Sequence, residues 1–442
     1  MTTARHPASS DPASSDLSPS DLSPSDRARF AIDSPAHHAW LAAETRRLLE
    51  FGRGAALPDG GFGWLDRRGA VMPSVPPPLY VTCRMTHVYS LGALLGVEGS
   101  EALVDHGVAA LRGRFRDAAH GGWFTAVGHD GSPADERKQA YPHSFVVLAA
   151  SSALVAGRPG ARELLDEALD VVERRFWDDD AGMMVEAWDR AFSKLDDYRG
   201  MNSNMHTVEA FLAAYAATGD GLWLDRATRI TRRALAFARE HDWRLPEHFD
   251  PAWTPLLDHH IDTPDDPFRP YGSTMGHWLE WSRLALHVRA ARMASSVCPH
   301  ATDDDLLHDA VALFDAAVRE GWHVDGAPGF VYTVDWTGTP RVRQRLHWVL
   351  CEALGAATTL WQGCGDDRFR DWYATWWAYA DAHLLDRVDG SWHHELDPQN
   401  RPAETIRPGK ADVYHALQAT LLPRLPLGAA LATAVRDQPP AP

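Results

Sequence analysis

Six segments of this chain carry uncommon polar groups inside an otherwise apolar helical pattern. Segment 81–96 holds Arg84 and His87, and segment 141–156 holds His143. Segment 201–218 holds Asn202, Asn204, His206 and Glu209, and segment 272–294 holds His277 and Glu280. Segment 343–362 holds Trp348 and Glu352, and segment 409–422 holds Asp412 and His415. Helical spacing puts Asn202 with His206, Trp348 with Glu352, and His277 with Glu280 on shared faces. These groups lie toward the N-terminal ends of their segments, where the helix dipole favours a developing anion. An imidazole that titrates near the working pH can take a carbon-bound proton and return it. Two histidines on opposite walls therefore fit proton transfer beside a carbonyl. Arg84 and a second histidine would hold the enediolate charge.

Other chemistries fit less well. There is no H-E-x-x-H pattern, and in "WHHELD" the neighbours His393, His394 and Glu395 are expected in a loop with diverging side chains. No phosphate-binding G-x-x-x-x-G-K-[ST] loop occurs. A glycosidase needs two carboxylates flanking one bond. Glu280 and Glu352 are available for that, but the imidazoles outnumber them. A lone buried histidine is ordinarily a core group with a satisfied hydrogen bond. It is the repetition over six segments that points to a site.

Positioning these groups requires a repeated architecture. Twelve amphipathic patterns, with apolar residues at i, i+3, i+4 and i+7, cover 36–52, 81–96, 102–118, 141–156, 160–176, 201–218, 222–241, 272–294, 303–320, 343–362, 367–385 and 409–422. They alternate between charge-rich segments such as "ARELLDEALDVVERRFW" and charge-poor ones such as "HWVLCEALGAATTLW". Charge-rich helices suit an outer ring, and helices apolar nearly all round suit a buried inner ring. Aromatic, glycine-rich turns at 59–69, 120–131, 178–191, 247–255, 326–338 and 389–400 recur between them as hairpins or long loops. The pattern predicts an all-α (α/α)6 barrel whose loops rim one mouth, over the polar ends of the inner helices.

Composition bounds the rest. The formal charge is −17, from 60 acidic and 43 basic residues, which disfavours nucleic acid and anionic membrane surfaces as partners. No run of 18 apolar residues occurs. Cys83, Cys298, Cys351 and Cys364 form no C-x-x-C pair and read as reduced thiols of a cytoplasmic protein. The Ser-, Pro- and Asp-rich start predicts a disordered leader over 1–33, a single catalytic domain over 34–425 and a loose tail over 426–442. A homo-oligomer is compatible with this composition.

The segments "PLYVTCRMTHVYSL", "KQAYPHSFVVLAASSAL", "RGMNSNMHTVEAFLAAYAATGD", "YGSTMGHWLEWSRLAL", "HWVLCEALGAATTLW" and "SWHHELDPQNRPAETIRPGKADVYHALQATLLPRLPL" resemble the N-acylglucosamine 2-epimerase superfamily, in order, over about 36–424. The last is most similar to the aldose–ketose isomerase branch, which includes mannose and sulfoquinovose isomerases. The resemblance implies an (α/α)6 barrel acting on a monosaccharide through a cis-enediol, with no metal or other cofactor. It implies that His415 moves the proton between C2 and C1 and that His277 is the second acid/base, oriented by Glu280. Arg84 would hold the O1/O2 side. Asn202, His206, Trp348 and Glu352 would contact the sugar, with Tyr80 and His143 as further pocket residues. D-mannose and D-fructose are the expected pair, with D-lyxose and D-xylulose as further substrates. The alternatives are a sulfoquinovose isomerase using Arg401, Arg407 or Lys410, a sugar 2-epimerase, or an (α/α)6 glycoside hydrolase.

Overall fold

The charge-poor segments fold as helices that bury almost every residue. The computed structural model describes residues 18–295 and 303–437. Its inner helices are α3 (Leu79–Leu94), α5 (Ala140–Val155), α7 (Met201–Thr218), α9 (Met275–Ala294), α11 (His347–Cys364) and α13 (Tyr414–Leu421). They close a ring: α3 packs on α5, α5 on α7, α7 on α9, α9 on α11, α11 on α13, and α13 returns to α3. The outer helices are α2 (Pro35–Gly52), α4 (Ser100–Arg112), α6 (Ala161–Val171), α8 (Gly221–Glu240), α10 (Asp304–Gly321) and α12 (Asp367–Tyr379). Each buries one stripe, as Leu164, Leu165, Ala168 and Leu169 of α6 do, and keeps its charges wet. Local signals set the limits. Asp220 and Asp366 cap the starts of α8 and α12, and left-handed Gly219 and Gly365 end α7 and α11.

A hairpin or long loop follows every outer helix, and its strands are only two or three residues long. Every inner helix is preceded by a short lead-in that bonds to the hairpin one unit further on. Pro78 bridges Ala126; Lys138–Gln139 pairs with Ala187–Trp188; Arg199–Gly200 pairs with His248–Phe249. Ser273–Thr274 pairs with Thr333–Val334, and Arg345–Leu346 with Glu395–Leu396. The sixth link closes the circle: Lys410 N–H donates to the Leu65 carbonyl (2.9 Å). Gly409 makes this possible. Its φ is +71°, and a Cβ there would lie 2.3 Å from the Leu65 oxygen. Buried ion pairs Lys138–Asp117 (3.1 Å), Arg345–Asp325 (2.5 Å) and Lys410–Asp386 (2.7 Å) pin three lead-ins to the hairpins before them.

Two expectations about the ends need correction. Residues 1–17 and 438–442 lie outside the described residues, as does Cys298. From residue 18 the expected leader is structured. Helix α1 (Pro24–Arg29) sends Arg27 to Asp371 and Arg29 to Asp381, and Phe30 and Ile32 are buried. The Phe30 ring meets His37 and Trp40 edge-on, a contact the surrounding Ser/Pro/Asp composition conceals. The expected loose tail contains α14 (Leu431–Asp437), which packs on α3, α5 and α7 and buries Ala432 and Val435. Among the described residues, no helix is long and apolar enough to cross a membrane.

Candidate active site

The inner helices start at the rim, so their first turns face the mouth and line a cavity. Its walls include Arg84 from α3, Tyr141 from α5, Asn202 and His206 from α7, His277 and Glu280 from α9, and His347 and Trp348 from α11. Asp412 and His415 come from the start of α13, and Pro267, Phe268, Tyr332, His394 and Arg407 from the hairpins.

Two imidazoles are held in the same manner. His277 Nδ1 donates to Glu247 Oε2 (2.9 Å), and His415 Nδ1 donates to Glu352 Oε1 (3.1 Å). A carboxylate can only accept, so each Nδ1 carries the hydrogen and each Nε2 lone pair is left for the cavity. The indole of Trp348 lies between them, with centroids 5.3 Å from His277 and 5.8 Å from His415. Gly276 makes room for it: a Cβ there would fall 2.1 Å from the Trp348 ring. Burial, and then the nearby Arg84 charge, hold the His415 imidazole well below its ordinary pKa, so the ring is neutral at pH 7. Arg84 Nη1 donates to Asp412 Oδ2 (3.2 Å) and Nη2 to the Tyr141 hydroxyl (3.0 Å). Burial opposes the Arg84 charge, but Tyr141 and Asp412 more than offset it.

Four assignments made from sequence change. Glu280 does not orient His277; Glu247 does. A helical side chain leans toward the N-terminus, so His277, in the first turn of α9, meets the Glu247 hairpin rather than the residue one turn below. Glu280 instead lies 3.4 Å from Arg283 and 3.7 Å from His206 Nδ1, and its Oε2 has no protein partner. Burial and the neighbouring Glu352 push its carboxyl well above the usual range, while Arg283 pulls the other way. Glu352 lies behind the cavity lining, with His415 and Arg283 Nε (2.7 Å) bonded to its two oxygens. His143 lies outside the cavity. Its Nδ1 donates to the Gln139 carbonyl (2.7 Å), its Nε2 accepts the Trp123 N–H (3.2 Å), and burial drives its pKa down to about 3. Tyr80 lines a neighbouring groove instead of the cavity. Arg84, Asn202, His206, His277, Glu280, Trp348 and His415 all line the cavity.

Several cavity residues had been given no role from sequence. His394 stacks on His347 at 3.8 Å, while its neighbour His393 turns away to Asp386 (3.6 Å). The two do diverge, and the divergence is what sends one inward. Asp412 was visible as a polar group at the start of its helix, but its bond to Arg84 was not. Glu247 gave no signal beyond its place in an aromatic hairpin. For a cation, His206, Glu209 and Glu280 bring ligand atoms within 4.8 Å of one another. Arg283, bonded to Glu280 and Glu352, already supplies positive charge to that cluster.

Comparison with known proteins follows the same lines. The N-acylglucosamine 2-epimerase (GlcNAc 2-epimerase) family matches residues 60–419. The chain is 53% identical over 402 residues to a D-mannose isomerase of Thermobifida fusca, covering 90% of this chain and 97% of that protein. It is 49% identical over 403 residues to a D-mannose isomerase of Pseudomonas cannabina pv. alisalensis, covering 91% of this chain and 96% of that protein. A crystal structure of a D-mannose isomerase superposes with a TM-score of 0.79 at 26% identity, over 89% of this chain and 99% of that one.

Proposed function

The chain belongs to the N-acylglucosamine 2-epimerase family, and on that premise we propose that it is an aldose–ketose isomerase interconverting D-mannose and D-fructose. The observation that carries the reading is the pair of carboxylate-anchored imidazoles flanking one indole in one cavity. His415 takes the proton from C2 of the open-chain aldose on Nε2, where it exchanges with solvent, and delivers a proton to C1, while the hydroxyl proton passes from O2 to O1 of the enediolate; the Nδ1–H stays hydrogen-bonded to Glu352. Its buried, neutral state at pH 7 suits that task. Arg84, fixed beforehand by Asp412 and Tyr141, holds O1 and O2 as negative charge develops on the cis-enediolate. His277 exchanges the proton that opens and closes the sugar ring, and Glu247 stabilises the imidazolium formed on the way. Glu280, whose Oε2 has no protein partner, binds a sugar hydroxyl, with Asn202 and His206 beside it. Trp348 supplies the apolar platform. D-lyxose and D-xylulose, which have the same configuration at the reacting carbons, are proposed as further substrates.

The residues offer each proton donor and acceptor this scheme needs, so it runs without a metal or nucleotide. Three cysteines, Cys83, Cys351 and Cys364, are unpaired, which accords with a reducing cytoplasm. The test is incubation with fructose in deuterated water with a chelator present. Mannose carrying solvent-derived deuterium at C2 is the expected product. Activity abolished by the chelator, or no mannose at all, would overturn the scheme. One observation favours a second reading, a sulfoquinovose isomerase: Arg407 lines the cavity. Arg401 and Lys410 are committed to Asp397 and Asp386, so a sulfonate would have one cation from that hairpin. Comparing kcat/KM for mannose and sulfoquinovose decides between the two.

A further inference from the structure

A second space opens beside the catalytic cavity. It is an open groove on the α5–α7 side of the mouth. In the inner ring that side lies across from α11 and α13, which carry Trp348 and His415. Cavity and groove share three lining residues, Tyr141, Asn202 and Phe268. Tyr141 and Asn202 stand on the first turns of α5 and α7 and are fixed by their helices. Phe268 belongs to the irregular segment ahead of α9 and is 46% exposed. Its ring meets Tyr80 and Tyr141 edge-on, with centroids 6.2 Å and 6.4 Å away. Arg407, from the last hairpin, clasps it. The guanidinium carbon sits 4.6 Å from the ring centroid, and Nη2 donates to the carbonyl of Pro267. Of the three residues shared by the two spaces, Phe268 is the one that no helix holds in place. The groove beyond is lined by Trp64 and Tyr198 rings and by Asp135, Arg137, Glu186 and Arg269, surfaces that match a hydroxylated ring rather than an apolar ligand.

We infer that Phe268 is the specificity-determining residue that confines this enzyme to monosaccharides. A sugar whose C1 and C2 lie against His415 and Trp348 points its far carbons at the Phe268–Tyr141–Asn202 wall. A glycosyl substituent on those carbons would have to pass where the Phe268 ring stands. Removing the ring joins cavity and groove and gives the substituent a polar berth. The chemistry at C1 and C2 is the same for such a disaccharide, so no new catalytic group is needed. This inference rests on the isomerase reading proposed above.

The experiment measures kcat/KM for mannose and for reducing-end mannose disaccharides substituted at O4 or O6, following ketose formation. The unaltered enzyme is compared with Phe268→Trp, Phe268→Leu, Phe268→Ala and Phe268→Gly, with thermal melting as the check on folding. The expected result is a disaccharide-to-mannose ratio that rises in the order Trp, Phe, Leu, Ala, Gly, by at least about tenfold from Phe to Ala. The Leu variant keeps an apolar side chain against Tyr80 and Tyr141, so the trend is readable even where the smallest variants are unstable. A flat ratio across folded variants, or disaccharide turnover by the unaltered enzyme equal to that of mannose, overturns the inference. Failure of the unaltered enzyme to isomerise mannose would strike the underlying reading instead, and the mannose measurement tells the two failures apart.

Discussion

Replacing Glu247 by Gln separates two accounts of how His277 is held. Glu247 is buried at 4% exposure, and its Oε2 lies 2.9 Å from His277 Nδ1. The carboxylate charge is then about 4 Å from the centre of an imidazolium. At an effective dielectric of about 20, that attraction is worth about 4 kcal/mol. Gln keeps the shape and removes the charge. If about half the imidazolium charge has developed in the transition state, about 2 kcal/mol is lost, or roughly 30-fold in rate. The Gln amide can also donate to Nδ1 and drive the ring into the opposite tautomer, with Nε2 no longer a base, which extends the loss toward about 10,000-fold. The comparison variant is Glu280→Gln. Glu280 has its carboxyl pushed above the usual range by burial and Glu352, and it touches Arg283 and His206, not His277. The Gln amide still hydrogen-bonds, so the expected loss is less than about tenfold, the scale of one neutral hydrogen bond. The assay is steady-state mannose-to-fructose conversion at pH 7, with melting curves to verify folding. A Glu247→Gln enzyme within about threefold of the original, or a larger loss for Glu280→Gln, would refute this account of the dyad.

Other outcomes follow from the same geometry. His415→Asn should cost about 100- to 10,000-fold in kcat and abolish deuterium uptake at C2 together with turnover; a variant that still exchanges C2 at the original rate would remove His415 from the proton step. His87, His206, His287 and His347 are buried with pKa values lowered by burial to about 4. Their unfolded pKa is near 6.5, so the unfolded chain binds more protons, and stability falls as pH drops from about 6.5 toward about 4. Together they lose roughly 5 kcal/mol between pH 7 and pH 5.5, and a melting temperature flat over that range would contradict this. Deleting residues 1–33 removes the buried side chains of Phe30 and Ile32 and should cost about 3–6 kcal/mol, read by denaturant titration; unchanged stability would show that these contacts contribute little. His143→Leu leaves the Trp123 N–H unpaired, so it should lower the melting temperature while kcat/KM stays within about fivefold; the reverse pattern would return His143 to the site.

Much of the fold was legible because helix periodicity is a local property. Each of the twelve expected helices is present, although 102–118 ends at Arg112, and the loss of charge on inner segments marked which ring each belongs to. The errors lie where tertiary bonds override local preference. The segment 409–422 reads as one helix, yet α13 begins at Tyr414, because Gly409 and the Lys410–Leu65 bond hold its start in the rim. Phe30 and Ile32 are two apolar residues beside a disordered-looking stretch, and only their partners on other segments show them to be core. In the site, residue types were readable but pairings were not. Helix spacing put Glu280 on the face of His277, and the family resemblance implied that it orients His277 and that Glu352 contacts the sugar. The actual partners come from 30 and 63 positions away. Such contacts depend on how the barrel closes, and no window of sequence contains them.

The circle of lead-in and hairpin bonds divides the labour of the mouth. Each link is made at the base of a hairpin, by backbone atoms, and so is indifferent to the side chains or length of the tip beyond it. Tips can lengthen, shrink or exchange residues while the imidazoles below keep their spacing. One catalytic floor can thus serve differently shaped sugars, with selectivity rewritten above the hoop and proton chemistry conserved beneath it.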